Sequence, residues 1–143
     1  MNRLLLEHLP LSVLVGVLGW LAGGGVLSVP FALVMGWCID ADHLFDFGYY
    51  CLRHQKSPDW SFIRSGQYFV LNGKCFIPLH SWELTLCLIV GLGLLTQNWI
   101  LAFTTGAAHM AHLIQDLLSY RNKRIVEFSL IGRALHRFSI PPW

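Results

Sequence analysis

The chain has 143 residues, 55% of them hydrophobic and 13% charged, with mean hydropathy +0.53 and a formal net charge of +2. Ordinary soluble domains carry about a quarter of their residues charged, so the composition excludes a disordered chain and points to a bilayer as the surrounding solvent. Its ten Lys and Arg form no clustered basic face, which excludes nucleic acid as a partner.

A membrane core of about 30 Å calls for about 20 mostly apolar residues per helix. Residues 4–22 supply the first such stretch, ending at Gly23, Gly24 and Gly25. Glu7, His8 and Pro10 interrupt it and no small-residue cleavage site follows, which argues against a removable signal peptide. The second span is predicted over 26–50, with Pro30 early, where a helix tolerates it best. Residues 51–77 mix Arg53, Lys56, Arg64 and Lys74 with Trp60, Phe62, Tyr68 and Phe69, the composition of a loop lying in the headgroup layer. Spans three and four follow over 78–95 and 99–118, joined by Thr96, Gln97 and Asn98. In the tail, 121–143, Ile125, Phe128, Ile131, Leu135 and Phe138 recur every three or four residues, as in an interfacial amphipathic helix, until Pro141 and Pro142.

The expected fold is therefore all-α: a single integral-membrane domain of four spans in two hairpins, with an interfacial loop and a C-terminal amphipathic helix. All ten basic residues fall on one side of that arrangement. Lys and Arg favour the cytoplasmic side, so the expected location is multi-pass in a bacterial-type inner membrane, with both termini cytoplasmic, membrane lipid as partner and room for a homo-oligomer. Cys38, Cys51, Cys75 and Cys87 lack the Cys-x-x-Cys spacing of a zinc site and read as reduced thiols.

Ionisable side chains inside apolar helices are costly, so each marks a candidate site. Asp40, Asp42, His43 and Asp46 end the second stretch; His80 and Glu83 open the third; His109, His112 and Asp116 end the fourth. With alternating helix directions these nine groups share one layer. Residues three or four apart share a helix face, which aligns His109, His112 and Asp116 in one stripe and His80 with Glu83 in another. Five carboxylates and four imidazoles at one level need a balancing cation. Mixed imidazole and carboxylate donors suit a divalent transition metal, zinc first and manganese or iron next, as one ion or two bridged ions. Asp40, Asp42, His43, His80, His109, His112 and Asp116 are the candidate ligands. Glu83 or Asp46 is the candidate general base, and Arg53, Arg64, Lys74, Arg121 and Arg124 are candidate cations for an anionic substrate. His8, His54 and His136 read as packed or interfacial residues, and Ser81 as a helix-start hydroxyl.

The ordered set Asp40-Ala41-Asp42-His43, His80-Ser81 and His112-Leu113-Ile114-Gln115-Asp116 resembles the motifs of the predicted membrane-bound metal-dependent hydrolases, the YdjM-like inner-membrane proteins. The resemblance implies a small helical membrane protein with a hydrolytic divalent-metal site whose ligands match Asp42, His43, His80, His112 and Asp116. Family members often carry a further His five residues before the His-Ser pair; this chain has Cys75 there, and offers Glu83 and His109 instead. The function expected is metal-dependent hydrolysis of an ester or phosphoester of a lipid-like or membrane-proximal substrate. The alternatives are a metal or proton transporter and a metal-stapled scaffold.

Overall fold

The computed structural model describes residues 2–57, 59–119 and 128–139, with the side chains of 2–7, 60, 64 and 65 outside the description. These residues are almost wholly helical. Helix α1 (Asn2–Gly19) passes into a π-helical turn (Trp20–Gly24), and Gly23 adopts φ 101°, a conformation open to glycine that ends the helix. Helix α2 (Ser28–Gly36) then runs back to Trp37, where the backbone leaves the helical region. A 3-10 turn (Cys38–Asp42) leads into α3 (His43–His54). Two short helices, α4 (Trp60–Ser65) and α5 (Gln67–Asn72), come next, each closed by a left-handed glycine, Gly66 and Gly73. Ser81 caps α6 (Trp82–Thr96) by accepting from the Leu84 N–H, and left-handed Gln97 ends it. Helix α7 (Trp99–Ser119) starts on Asn98, whose Oδ1 accepts from the Leu101 N–H while its Nδ2 donates to the Gly24 carbonyl. That side chain ties the two hairpin turns together. The described tail holds α8 (Leu130–Leu135), capped by Ser129.

Helix α7 packs against α1, α2 and α6. Ala32, Ala102 and Ala108 are fully buried along these contacts, and such small side chains let backbones approach closely. One close approach is at Gly36, where a Cβ would collide with Ser12 of α1 and press on the Ala108 carbonyl of α7. Beside this bundle, Phe47, Tyr50 and Tyr68 form a separate aromatic core between α3 and α5. The outward faces leave large apolar side chains such as Leu14, Leu21, Leu86 and Leu95 exposed.

Several expectations are corrected here. Among the described residues, no helix is long and apolar enough to cross a membrane. This overturns the four-span integral-membrane bundle and with it the multi-pass inner-membrane placement and the cytoplasmic orientation of the termini. The physical reasons lie in the chain. Residues 26–50 are broken at Trp37 into a nine-residue helix, a 3-10 turn and α3. Helix α6 has 15 residues, and α7, with 21, carries His109, His112, Gln115 and Asp116. The segment expected as an interfacial loop is folded as α4 and α5, with Tyr68 1% exposed. In place of an extended amphipathic helix, the described tail has one six-residue helix whose Arg133 is buried. Residues 120–127 and 140–143, among them Arg121, Arg124 and Ile125, lie outside the described residues.

Candidate metal centre

Four side chains meet where the 3-10 turn and the loop before α6 close on α7. Asp40, His80, His112 and Asp116 each bring a ligand atom, and these atoms all lie within 4.8 Å of one another. Both imidazoles are oriented from behind. His80 Nδ1 faces Asp42 Oδ2 at 3.1 Å, and Asp42 is itself fixed by the Leu79 N–H at 2.9 Å. His112 Nδ1 donates to the Gly36 carbonyl at 3.1 Å, a bond that the close approach at Gly36 makes reachable. A carboxylate or carbonyl behind the far nitrogen is how metal-binding imidazoles are held. With Nδ1 protonated on both rings, each Nε2 presents a lone pair to the same point.

The separations carry the argument. His80 Nε2 and His112 Nε2 are 3.2 Å apart. Asp40 Oδ1 lies 3.2 Å from the first and 3.4 Å from the second, and Asp116 Oδ2 lies 3.5 Å and 3.7 Å from them. Four acceptors at such distances repel unless a cation sits among them. Metal–ligand bonds of about 2.0–2.2 Å in tetrahedral geometry place donor atoms about 3.3–3.6 Å apart, close to the edges found here. The donor set therefore fits a divalent transition metal. In its absence a proton takes the place of the metal. Burial alone opposes a charge on His80, but hydrogen bonds to Asp40 and Asp42 outweigh it and push the imidazole up to about 9. Burial of Asp40 is likewise outweighed, by His112 and His80, which hold its carboxyl well below the usual range.

Asp42, His43 and His80 form a second group of the same kind. It shares His80 with the first, and the contact between His80 Nδ1 and Asp42 is what supports His80 in the first, so the geometry favours one ion. Asp42 Oδ1 is buried, lies 3.1 Å from His80 Nδ1, and makes no hydrogen bond of its own. His43 stands at the rim, its Nδ1 3.0 Å from the Tyr68 hydroxyl and its Nε2 3.8 Å from Asp40 Oδ1.

The other expected site residues lie elsewhere in function. His109, on the same stripe as His112, donates from Nε2 to the Leu79 carbonyl at 2.8 Å and meets the Thr85 hydroxyl through Nδ1 at 2.6 Å. Both nitrogens are consumed, and burial pushes its pKa down to about 4, so it is a neutral structural imidazole. Glu83, expected as a base, accepts from Ser129 Oγ and from the Leu130 and Ile131 N–H groups, anchoring α8. Asp46 accepts from the Phe76 N–H through both oxygens, at 2.9 and 3.0 Å, while burial pushes its carboxyl up to about 6. It braces the loop that delivers His80. Arg53 donates to the Asn72 carbonyl, and exposed Lys74 pairs through its backbone with Ser139. The side chain of Arg64, like Arg121 and Arg124 as a whole, lies outside the described part of the structure.

Two residues not expected in the site border it. His8 of α1, 2% exposed, has Nε2 3.5 Å from Asp116 Oδ1 and stacks on His112 with ring centroids 4.1 Å apart. Arg133 of α8 donates from Nη2 to the His80 carbonyl at 2.9 Å, with Nε and Nη1 buried and unpartnered. The rule that an ionisable residue in an apolar stretch marks a site applies to His8 as well as to His112, and points to it in the sequence. A separate apolar cavity of about 310 Å³ between α2 and α6, lined by Phe31, Val34, Met35 and Leu92, includes none of the four clustered residues. In comparisons with known proteins, no family model, curated protein or solved structure matches this chain.

Proposed function

We propose that this protein is a metal-dependent hydrolase of ester or phosphoester bonds, with one divalent transition metal held by Asp40, His80, His112 and Asp116. The observation that carries the reading is the pair of Nε2 atoms 3.2 Å apart, both aimed by their Nδ1 partners at two carboxylate oxygens. When bound, such a metal activates water and polarises the ester or phosphoryl oxygen. A donor set of imidazole and carboxylate, free of cysteine, is the chemistry of catalytic rather than structural zinc. The motif resemblance to metal-dependent hydrolases supports the same reading.

The chain's own residues have distinct tasks in this scheme. Asp42 and the Gly36 carbonyl keep both imidazoles in the tautomer that coordinates. His80 and His112 have no exposed side-chain surface, which keeps water from the back of the site, whereas the Asp40 side chain is 30% exposed. Substrate therefore approaches past Asp40 and His43. One observation favours a second reading: four protein donors complete a tetrahedral shell, as in a metal that only staples a fold.

One set of measurements decides. Purified chain is expected to hold about one transition-metal ion and to hydrolyse p-nitrophenyl phosphate or a p-nitrophenyl ester, with activity lost to a chelator and restored by zinc or manganese. Absence of a stoichiometric ion overturns the reading. Metal-loaded protein that gains stability from the ion yet hydrolyses neither probe is the staple.

A further inference from the structure

Helix α1 supplies none of the four ligands, yet its His8 touches two of them. The ring lies against His112, with an interplanar angle of 27°, and its Nε2 is the group facing the outer oxygen of Asp116. Its own orientation is fixed at three points: Nδ1 lies 2.8 Å from Gln115 Oε1, the ring stacks on His112 of α7, and the Ser12 hydroxyl donates to the His8 carbonyl at 2.8 Å. Ser12 is also the side chain that meets Gly36, whose carbonyl orients His112. One turn of α1 thus sets the outer contacts of two ligands.

We infer that His8 is a positioning residue of the metal centre, holding Asp116 Oδ1 so that Oδ2 faces the shared point, and that α1 is in this way part of the site. The inference rests on the metal reading above. A carboxylate has two equivalent oxygens and a terminal bond that can turn, so the contact of His8 with Oδ1 favours the orientation in which Oδ2 faces the shared point. Outer contacts of this kind are worth about 10–100-fold in metal affinity.

The test uses the full chain with zinc as the probe, in competition with a chromophoric chelator. His8→Phe keeps the bulk and the stack on His112 but removes the nitrogen that faces Asp116; His8→Gln returns a donor at similar reach. His8→Phe is expected to bind zinc about 10–100-fold more weakly, and His8→Gln to recover most of that loss. The cobalt-substituted protein reports the same change as an altered visible spectrum in His8→Phe and a near-native one in His8→Gln. Metal-free melting temperatures, measured alongside, separate affinity from folding. The proposal is overturned if His8→Phe binds zinc as tightly as the parent, or if His8→Gln is as weak as His8→Phe. A parent chain that binds no zinc removes the metal reading itself and this inference with it.

Discussion

Two neighbouring regions of this molecule use the same residue types to opposite ends. At the crossing of the 3-10 turn and α7, His80 and His112 point lone pairs at each other and at Asp40 and Asp116. One turn away, His109 is equally buried, yet Thr85 and the Leu79 carbonyl satisfy both its nitrogens. Glu83 likewise spends its oxygens on three donors at the start of α8. The difference is not burial, charge or helical spacing; it is a count of hydrogens. Where donors match acceptors the group is structural, and where acceptors outnumber donors around one point, as at His80, His112, Asp40 and Asp116, the donor set fits a cation.

The largest effect that tests this contrast is loss of the metal. His112→Ala and Asp116→Asn are each expected to leave less than stoichiometric metal in the purified protein and no chelator-sensitive hydrolysis, as elemental analysis and a chromogenic assay would read. Metal retained at full stoichiometry in both variants would place the ion elsewhere.

Next in size is the pH dependence of metal binding. His80 is pushed up to about 9 by hydrogen bonds to Asp40 and Asp42 that outweigh its burial, so below that pH it holds a proton that zinc must displace. Zinc affinity should fall about tenfold for each unit of pH below about 9, as long as this one proton is exchanged. Zinc titrations at pH 6, 7 and 8 measure the slope, and a flat profile would remove His80 from the coordination sphere. His109 gives the converse. His109→Gln should keep its metal, while leaving the Leu79 carbonyl or the Thr85 hydroxyl without a matched partner costs about 1–3 kcal/mol of stability, read from urea unfolding of the metal-free chain.

How much of this was legible in the sequence follows from the same contrast. The polar break at residues 96–98 and the glycines at 23–25 announce two helical hairpins, and both turns are present. The stripe of His112 and Asp116 is also visible, because periodicity fixes which side chains share a face. Periodicity does not say what stands opposite that face, so His109 and His112 look alike until Leu79, Thr85 and Gly36 are in place. The kink at Trp37 hides inside a continuous apolar run. A helix continued through it would set Asp40 and Asp42 about 200° apart; the 3-10 turn brings both onto His80, one on each nitrogen. Composition misled for a related reason. Apolar residues can be plentiful without any one helix being both long and uninterrupted enough to span a bilayer.

A smaller effect is expected at Glu83. Its carboxyl is held down at about 2 because hydrogen bonds from Ser129 and the backbone of α8 outweigh its partial burial. A carboxyl with a depressed folded pKa contributes stability above its ordinary value near 4.5, and that contribution is lost as pH falls from about 4.5 to about 2. Glu83→Ala should cost about 1 kcal/mol at neutral pH and remove this acid sensitivity, with metal content unchanged. Urea unfolding at pH 7 and at pH 3 reads both, and loss of metal from this variant would return Glu83 to the site.

The smallest effect separates two arginines and bears on where substrate sits. Arg53 is exposed and donates over 3.4 Å to the Asn72 carbonyl, a contact at the long limit of a hydrogen bond whose loss should change stability by less than about 0.5 kcal/mol. If anionic substrate approaches past Asp40, as the exposure of that ligand indicates, Arg53→Ala should leave both kcat and KM of phosphoester hydrolysis unchanged. Arg133 differs in every respect. It is buried and donates to the carbonyl of His80, a candidate ligand, so Arg133→Met is expected to disturb metal binding before it disturbs substrate binding. A raised KM in Arg53→Ala with kcat intact would instead put the substrate's charge over the α3–α5 side of the molecule, and move the entrance away from Asp40.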